Sequence, residues 1–168
     1  MPAAGEYLEY YGAYTRLAPE GDIVETLRRQ HRECQALYAG ITEAHSEFRP
    51  AAGEWSIKQV LGHLVDTERI FSYRALVFAR ADTVALPGME PDPYVHSGAF
   101  DARTLVDIVS EFSHLRAATI ALFNGLLDEA WGRGGTASNA HVTVRALAWI
   151  IAGHELHHVQ SLKEKYQI

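Results

Sequence analysis

Four segments of this chain open with a capping residue and continue with apolar side chains three and four residues apart. That pattern admits little besides a set of packed amphipathic helices. In SIKQVLGHL, Ser56 caps and Gln59 reciprocates, a capping box that satisfies backbone N–H groups a helix leaves unpaired. Asp22 and Glu25 repeat the arrangement in DIVETL, and Asp101 and Thr143 mark two further starts. Staple pairs precede three of the starts: Trp55 with Val60, Phe100 with Leu105, and Val142 with Leu147. The predicted helices cover about 22–45, 56–81, 101–127 and 143–165. Their apolar faces are consistent with this, as in Ile57, Val60, Leu61, Leu64, Phe71 and Phe78, or in Leu105, Ile108, Phe112, Leu115, Leu122 and Leu126. No alternating run of strand character and no internal repeat is present, so an all-α four-helix bundle, one domain over residues 1–168, is the expectation.

The connections are read from their breakers. Pro50 to Gly53 separates the first two helices; LPGMEPDPYVHSGAF is expected to hold no regular helix; WGRGGTASNAH is Gly-rich and polar. In an up-and-down bundle the two longer loops fall at opposite ends, whereas a crossover changes that. Tyr7, Tyr10, Tyr11 and Tyr14 predict a short helix packed across the bundle.

Composition narrows the function classes. With 48% hydrophobic and 21% charged residues the chain is an ordinary globular one. The net charge of −6 argues against nucleic acid, and Arg28, Arg29 and Arg32 are flanked by Glu25 and Glu33 as on a solvated face. No segment offers the roughly 20 apolar residues of a membrane span. The start MPAAGEYLEYYGAY lacks a basic region and an apolar run, so no signal peptide is expected. The single cysteine, Cys34, permits no intrachain disulfide and is expected to be a packed thiol, in keeping with a cytoplasmic protein.

The histidines carry the chemistry. The last helix presents Val144, Leu147, Ile151, His154, His158 and Leu162 along one face, so two imidazoles stand where Leu or Ile is expected. One helical turn brings both rings to the same side, the spacing two ligands of one ion need, and two buried imidazoles are hard to satisfy without a shared partner. A third ligand is required, and His63 on the second helix is the candidate. Asp66, one turn along, could accept the free N–H of that ring. His157 points to the flank. His31, His45, His96, His114 and His141 are expected at surface or structural positions. HELHH is also HExxH, which would make Glu155 the general base of a zinc peptidase. That motif requires a further ligand downstream, where Glu164, the one acidic residue left, should point elsewhere.

At this point the residues resemble a known family. WSIKQVLGHLVDTERIF, PDPYV and TVRALAWIIAGHELHHVQSLKEKY, with the GEYLEYYGAY opening and the RGGTASN loop, look in order and spacing like the DinB-like superfamily of DinB/YfiT-like metalloenzymes. The resemblance implies an antiparallel four-helix bundle, commonly a homodimer, with one divalent metal, zinc or nickel, on a histidine triad. Carried over residue by residue, the triad is His63, His154 and His158. It implies a small-molecule substrate for a low-molecular-weight-thiol S-transferase, in which metal would stabilise the thiolate of a small thiol cosubstrate, or for a hydrolase. Ser161 stands where YfiT-type relatives carry a further histidine. Asp66, Glu68, Glu155 and His157 are candidates for proton handling or for orienting ligands, and Asp92 and Tyr94 for lining the site. A non-catalytic stress-response or binding protein with a structural or absent metal is the alternative, and the HExxH peptidase a remote one.

Overall fold

The computed structural model describes residues 1–168. In chain order the elements are α1 (Gly12–Thr15), α2 (Ile23–Ala39), α3 (Ile57–Ala79), α4 (Pro91–Gly98), α5 (Leu105–Asn124), α6 (Asp128–Trp131), the strands β1 (Gly134–Ala137) and β2 (Ala140–Thr143), and α7 (Val144–Lys165). Three caps form at the predicted residues, although Glu25 pairs with Arg28 instead of closing a box with Asp22. Asp22 accepts from the amides of Val24 and Glu25, Ser56 and Gln59 close their box, and Thr143 accepts from the Ala146 amide. The third long helix starts differently. Thr104 caps it, because the Asp101 carboxylate is committed to the Ser56 hydroxyl and the Arg49 guanidinium. The first long helix stops at Ala39, ahead of Gly40 and short of the expected 45.

The connectivity departs from the expected antiparallel bundle. Helices α2 and α3 each pack against both α5 and α7, giving the order α2–α5–α3–α7 around the core. The α5 amide of Leu105 and the α3 ammonium of Lys58 both reach Glu43, so α3 and α5 start at the same end and run parallel. Gln30 donates to the Ala152 carbonyl and His45 meets the Tyr166 carbonyl, so α2 and α7 are parallel too. The remaining neighbours are antiparallel: Arg28 meets Asn124 while Gln35 meets Ser113, and His63 lies by His158 while Phe71 lies by His154. Two parallel neighbours require the α3–α5 connection to cross the full length of the bundle.

That crossover is more ordered than its prolines suggest. Pro91 and Pro93 fall in the first turn of α4, where an N–H would have no intrahelical acceptor anyway, and Ala99 ends the helix in the left-handed region. The helix corrects the expectation of an irregular loop. The connection before α7 holds a hairpin that the sequence reading missed. Its two-residue turn, Ser138–Asn139, has φ of +53° and +60°, the conformation that matches strand twist, but without the Asn-Gly that usually announces it. Leu86 from the crossover pairs with this hairpin, donating to Thr136 and accepting from Ser138, so the two long loops meet at one end.

Two apolar clusters fill the bundle. One holds Leu27, Phe71, Phe78, Phe123 and Ile150; the other holds Leu61, Leu64, Ile108, Phe112 and Leu162. Between them lies a polar layer of His63, Glu68, Arg116, His154 and Glu155, all buried. Of the N-terminal tyrosines, Tyr7, Tyr11 and Tyr14 are partly buried and Tyr10 stays exposed, with α1 seated on α7.

Two glycines make those seats. A Cβ on Gly62 would lie 2.3 Å from the ring of Phe100, and one on Gly153 would lie 1.9 Å from the Tyr14 carbonyl oxygen. Helix propensity favours Gly153→Ala by about 1 kcal/mol. A clash with backbone costs more, roughly 1–3 kcal/mol. Gly153→Ala is therefore expected to lower the urea-unfolding midpoint; an unchanged or raised midpoint would show that α1 is not seated there.

Candidate metal centre

The polar layer opens on one side into a cluster of three imidazoles. His63 Nε2 and His158 Nε2 each lie 3.1 Å from His154 Nε2, and the three ligand atoms fall within 4.8 Å of one another. Antiparallel packing of α3 on α7 creates the meeting, since His154 and His158 are one turn apart and His63 faces the gap between them. Hydrogen bonding alone does not satisfy this arrangement. Two rings aim at one nitrogen of His154, which has either one proton or one lone pair to offer. Nitrogens on a common tetrahedral ion, each about 2.0–2.1 Å from it, lie about 3.4 Å apart, close to the separations found. The donor set suits a divalent transition metal with positions left for other ligands.

Electrostatics keep the rings neutral. Burial pushes His63 down to about 4, against a small opposing pull from Asp92. Burial, then the His63 and His157 rings, push His158 down to about 3, and burial with His158 beside it holds His154 well below the ordinary value. At neutral pH each imidazole therefore keeps a lone pair. Thr67 Oγ1, 3.3 Å from His63 Nδ1, takes up that ring's other nitrogen, and the Trp55 ring packs 4.9 Å from His63. Tyr14 sets its edge against His154 at 5.2 Å.

A cavity of about 300 Å³ lies beside the cluster, with His63 and His154 in its wall together with Tyr10, Tyr14, Phe71 and Arg74. Met89, Glu90 and Pro91 of the crossover form another wall. Asp92 and Tyr94 of α4 are exposed and line it at no point.

The other candidates take separate places. Asp66 is half-buried, and its carboxyl is raised by burial against the pull of Arg69, on the side facing Glu111 of α5 and Arg103 just before that helix rather than His63. The His63 partner is thus Thr67, which follows it by one turn in VLGHLVDT; an i, i+4 search for hydroxyls would have found it. His157 is exposed, edge-on to His158 at 5.1 Å and outside the cluster. The remaining histidines are structural or superficial: His31 bonds Ser113, His45 bonds the Tyr166 carbonyl, and His96, His114 and His141 are exposed.

Glu155 and Glu68 both belong to Arg116. The fully buried guanidinium donates to both Glu68 oxygens at 2.6–3.0 Å and to Glu155 Oε2 at 2.6 Å. Burial opposes the charge of Arg116, but the Glu155 and Glu68 carboxylates more than offset it and keep the group protonated. The carboxylate that a peptidase needs beside its metal is taken by this ion pair. Cys34 lies next to it, its thiol pushed well up by burial and by Glu155, and so inert as expected. Arg116→Met leaves two carboxylates buried without a cation, and is expected to cost roughly 3–5 kcal/mol in urea unfolding. A loss under about 1 kcal/mol would mean the carboxylates find water or protons instead.

No curated protein matches the chain in sequence. Among solved structures, YfiT from Bacillus subtilis, a probable metal-dependent hydrolase with an unusual four-helix bundle topology, is similar at a TM-score of 0.73 and 15% identity, over 99% of this chain and 91% of that one. A mycothiol-dependent maleylpyruvate isomerase is similar at a TM-score of 0.67 and 9% identity; 82% of this chain matches 58% of that longer one. The DinB-like protein YjoA, also from Bacillus subtilis, gives 0.62 at 20% identity, over 88% and 90% of the two chains. At these identities the likeness is one of fold. The family match covers residues 26–162, from α2 to the last turns of α7 and including all three clustered histidines: the chain belongs to the DinB superfamily.

Proposed function

We propose that the chain is a metal-dependent enzyme acting on a small molecule, with His63, His154 and His158 as the protein ligands of one divalent ion. The observation that carries this reading is the convergence of three neutral Nε2 atoms beside a cavity of about 300 Å³ that His63 and His154 help to line. A divalent ion there, zinc or nickel by the family resemblance, would supply Lewis acidity toward a substrate oxygen or stabilise a thiolate. The protein's own residues do the rest. Thr67 fixes the His63 ring so that Nε2 faces inward, Tyr14 and Phe71 flank His154 and keep that side apolar, and the crossover at Met89–Pro91 limits the cavity to small substrates.

The reaction class is a hydrolysis or the transfer of a small thiol. Support comes from the metal-dependent hydrolase and the thiol-dependent isomerase among the proteins of like fold. The family resemblance also supports a homodimer, and a free, buried Cys34 is compatible with a cytoplasmic protein. No helix is long and apolar enough to cross a membrane.

Elemental mass spectrometry of the untagged protein tests the centre. Close to one divalent ion per chain is expected in the wild type, with loss in His63→Ala and in His154→Ala. Metal at saturation should also raise the unfolding free energy, by about 2.7 kcal/mol at a hundredfold excess over Kd. No bound metal after incubation with zinc and nickel would overturn the enzyme reading in favour of a binding protein with polar core positions. Sedimentation velocity is expected to give a dimer; a monomer at micromolar concentration would remove that part of the proposal.

A further inference from the structure

Three cations are buried in this chain, and two of them have carboxylates. Lys58 meets Glu43 and Glu47, and Arg116 meets Glu68 and Glu155. Arg74, 4% exposed, meets none. Its hydrogen bonds leave from Nη2 alone, to the Pro87 carbonyl at 2.7 Å and the Ser138 hydroxyl at 3.1 Å, both neutral acceptors. Nε and Nη1 have no protein acceptor. Neither nitrogen is sealed from solvent; with Arg74 in the cavity wall, the guanidinium has no protein counter-charge and is open to an anion from the cavity side. Arg74 lines the same cavity as His63 and His154, and the guanidinium and the His154 ring rest against one Phe71 ring, at 5.5 Å and 6.3 Å.

We infer that Arg74 recognises a carboxylate on the small molecule whose other end reaches the histidine cluster, an inference that rests on the metal-site reading for that other end. Each part of the wall suits this class of ligand. Nη1 offers charge-assisted donors, and Ser138, whose oxygen accepts from Arg74, keeps its hydroxyl proton to donate. The rings of Tyr10, Tyr14 and Phe71 cover a short apolar stem between the two ends. Glu90, which also lines the cavity, makes no ion pair with Arg74, and its charge favours a singly charged anion over a doubly charged group such as phosphate. The hairpin and the crossover share the task of placing Arg74. The backbone pairing of Leu86 with Thr136 and Ser138 brings Pro87 and Ser138 onto one guanidinium.

Calorimetric titration with succinate and with 3-mercaptopropionate, each against its neutral amide, tests the inference in the metal-loaded protein. The acids are expected to bind and the amides not to. Arg74→Gln should weaken acid binding at least about tenfold, as loss of a charged hydrogen bond does. Arg74→Lys should retain part of it, and both variants should keep wild-type metal content as proof of folding. Preference for 3-mercaptopropionate would assign the carboxylate to a thiol cosubstrate; preference for succinate would assign it to the substrate. Equal affinity of wild type and Arg74→Gln, or no binding of either acid to the wild type, overturns the inference while metal content stands untouched. Arg74-dependent binding in a protein that holds no metal would instead sink the metal reading and leave the recognition of carboxylates intact.

Discussion

The guanidinium of Arg116 is the constraint around which the bundle is arranged. It sits between the two apolar clusters with no exposure to solvent and takes one carboxylate from α3 and one from α7. Charges so buried are stable only with good geometry, so the three helices cannot slide or rotate against one another without breaking the set. The histidine cluster inherits that precision. Glu68 follows Thr67, which holds His63, and Glu155 follows His154 directly, so the ion pair that fixes the helices also fixes the register of the imidazoles.

Around this layer the fold assigns wall-building to segments outside the four helices. Each helix that carries a clustered histidine has a glycine just before one, Gly62 before His63 and Gly153 before His154. These glycines admit Phe100 from the crossover and the Tyr14 backbone from α1. The result is a histidine cluster that stands on rigid helices beside a cavity closed by connections.

Much of this was legible beforehand because it depends on local or helical periodicity. Ser56 with Gln59, Asp22 and Thr143 cap helices through contacts three residues away, and His154 with His158 share a face by helix geometry alone. What failed depends on distant partners. Asp101 reads as a cap, but Ser56 and Arg49 claim it from elsewhere in the chain. Asp66 reads as the neighbour of His63, yet burial against α5 takes it away. Glu155 reads as a catalytic base until Arg116 occupies it, and nothing near Arg116 in the sequence announces that pairing. The hairpin at Ser138–Asn139 escaped because its strands are short and Gly-rich and lack alternation.

The sequence alone determined the four long helices, the inward placement of two histidines on the last one, and the choice of His63 as their partner, because each follows from spacing along a single helix or from family resemblance. The order and direction of the helices were decided only in three dimensions. Parallel pairing of α3 with α5 needs a connection that crosses the bundle, and caps and apolar faces read the same whichever neighbour a helix meets. The cavity followed from that choice: the crossover brought Leu86 to the hairpin and left Arg74 beside the histidines without a carboxylate of its own.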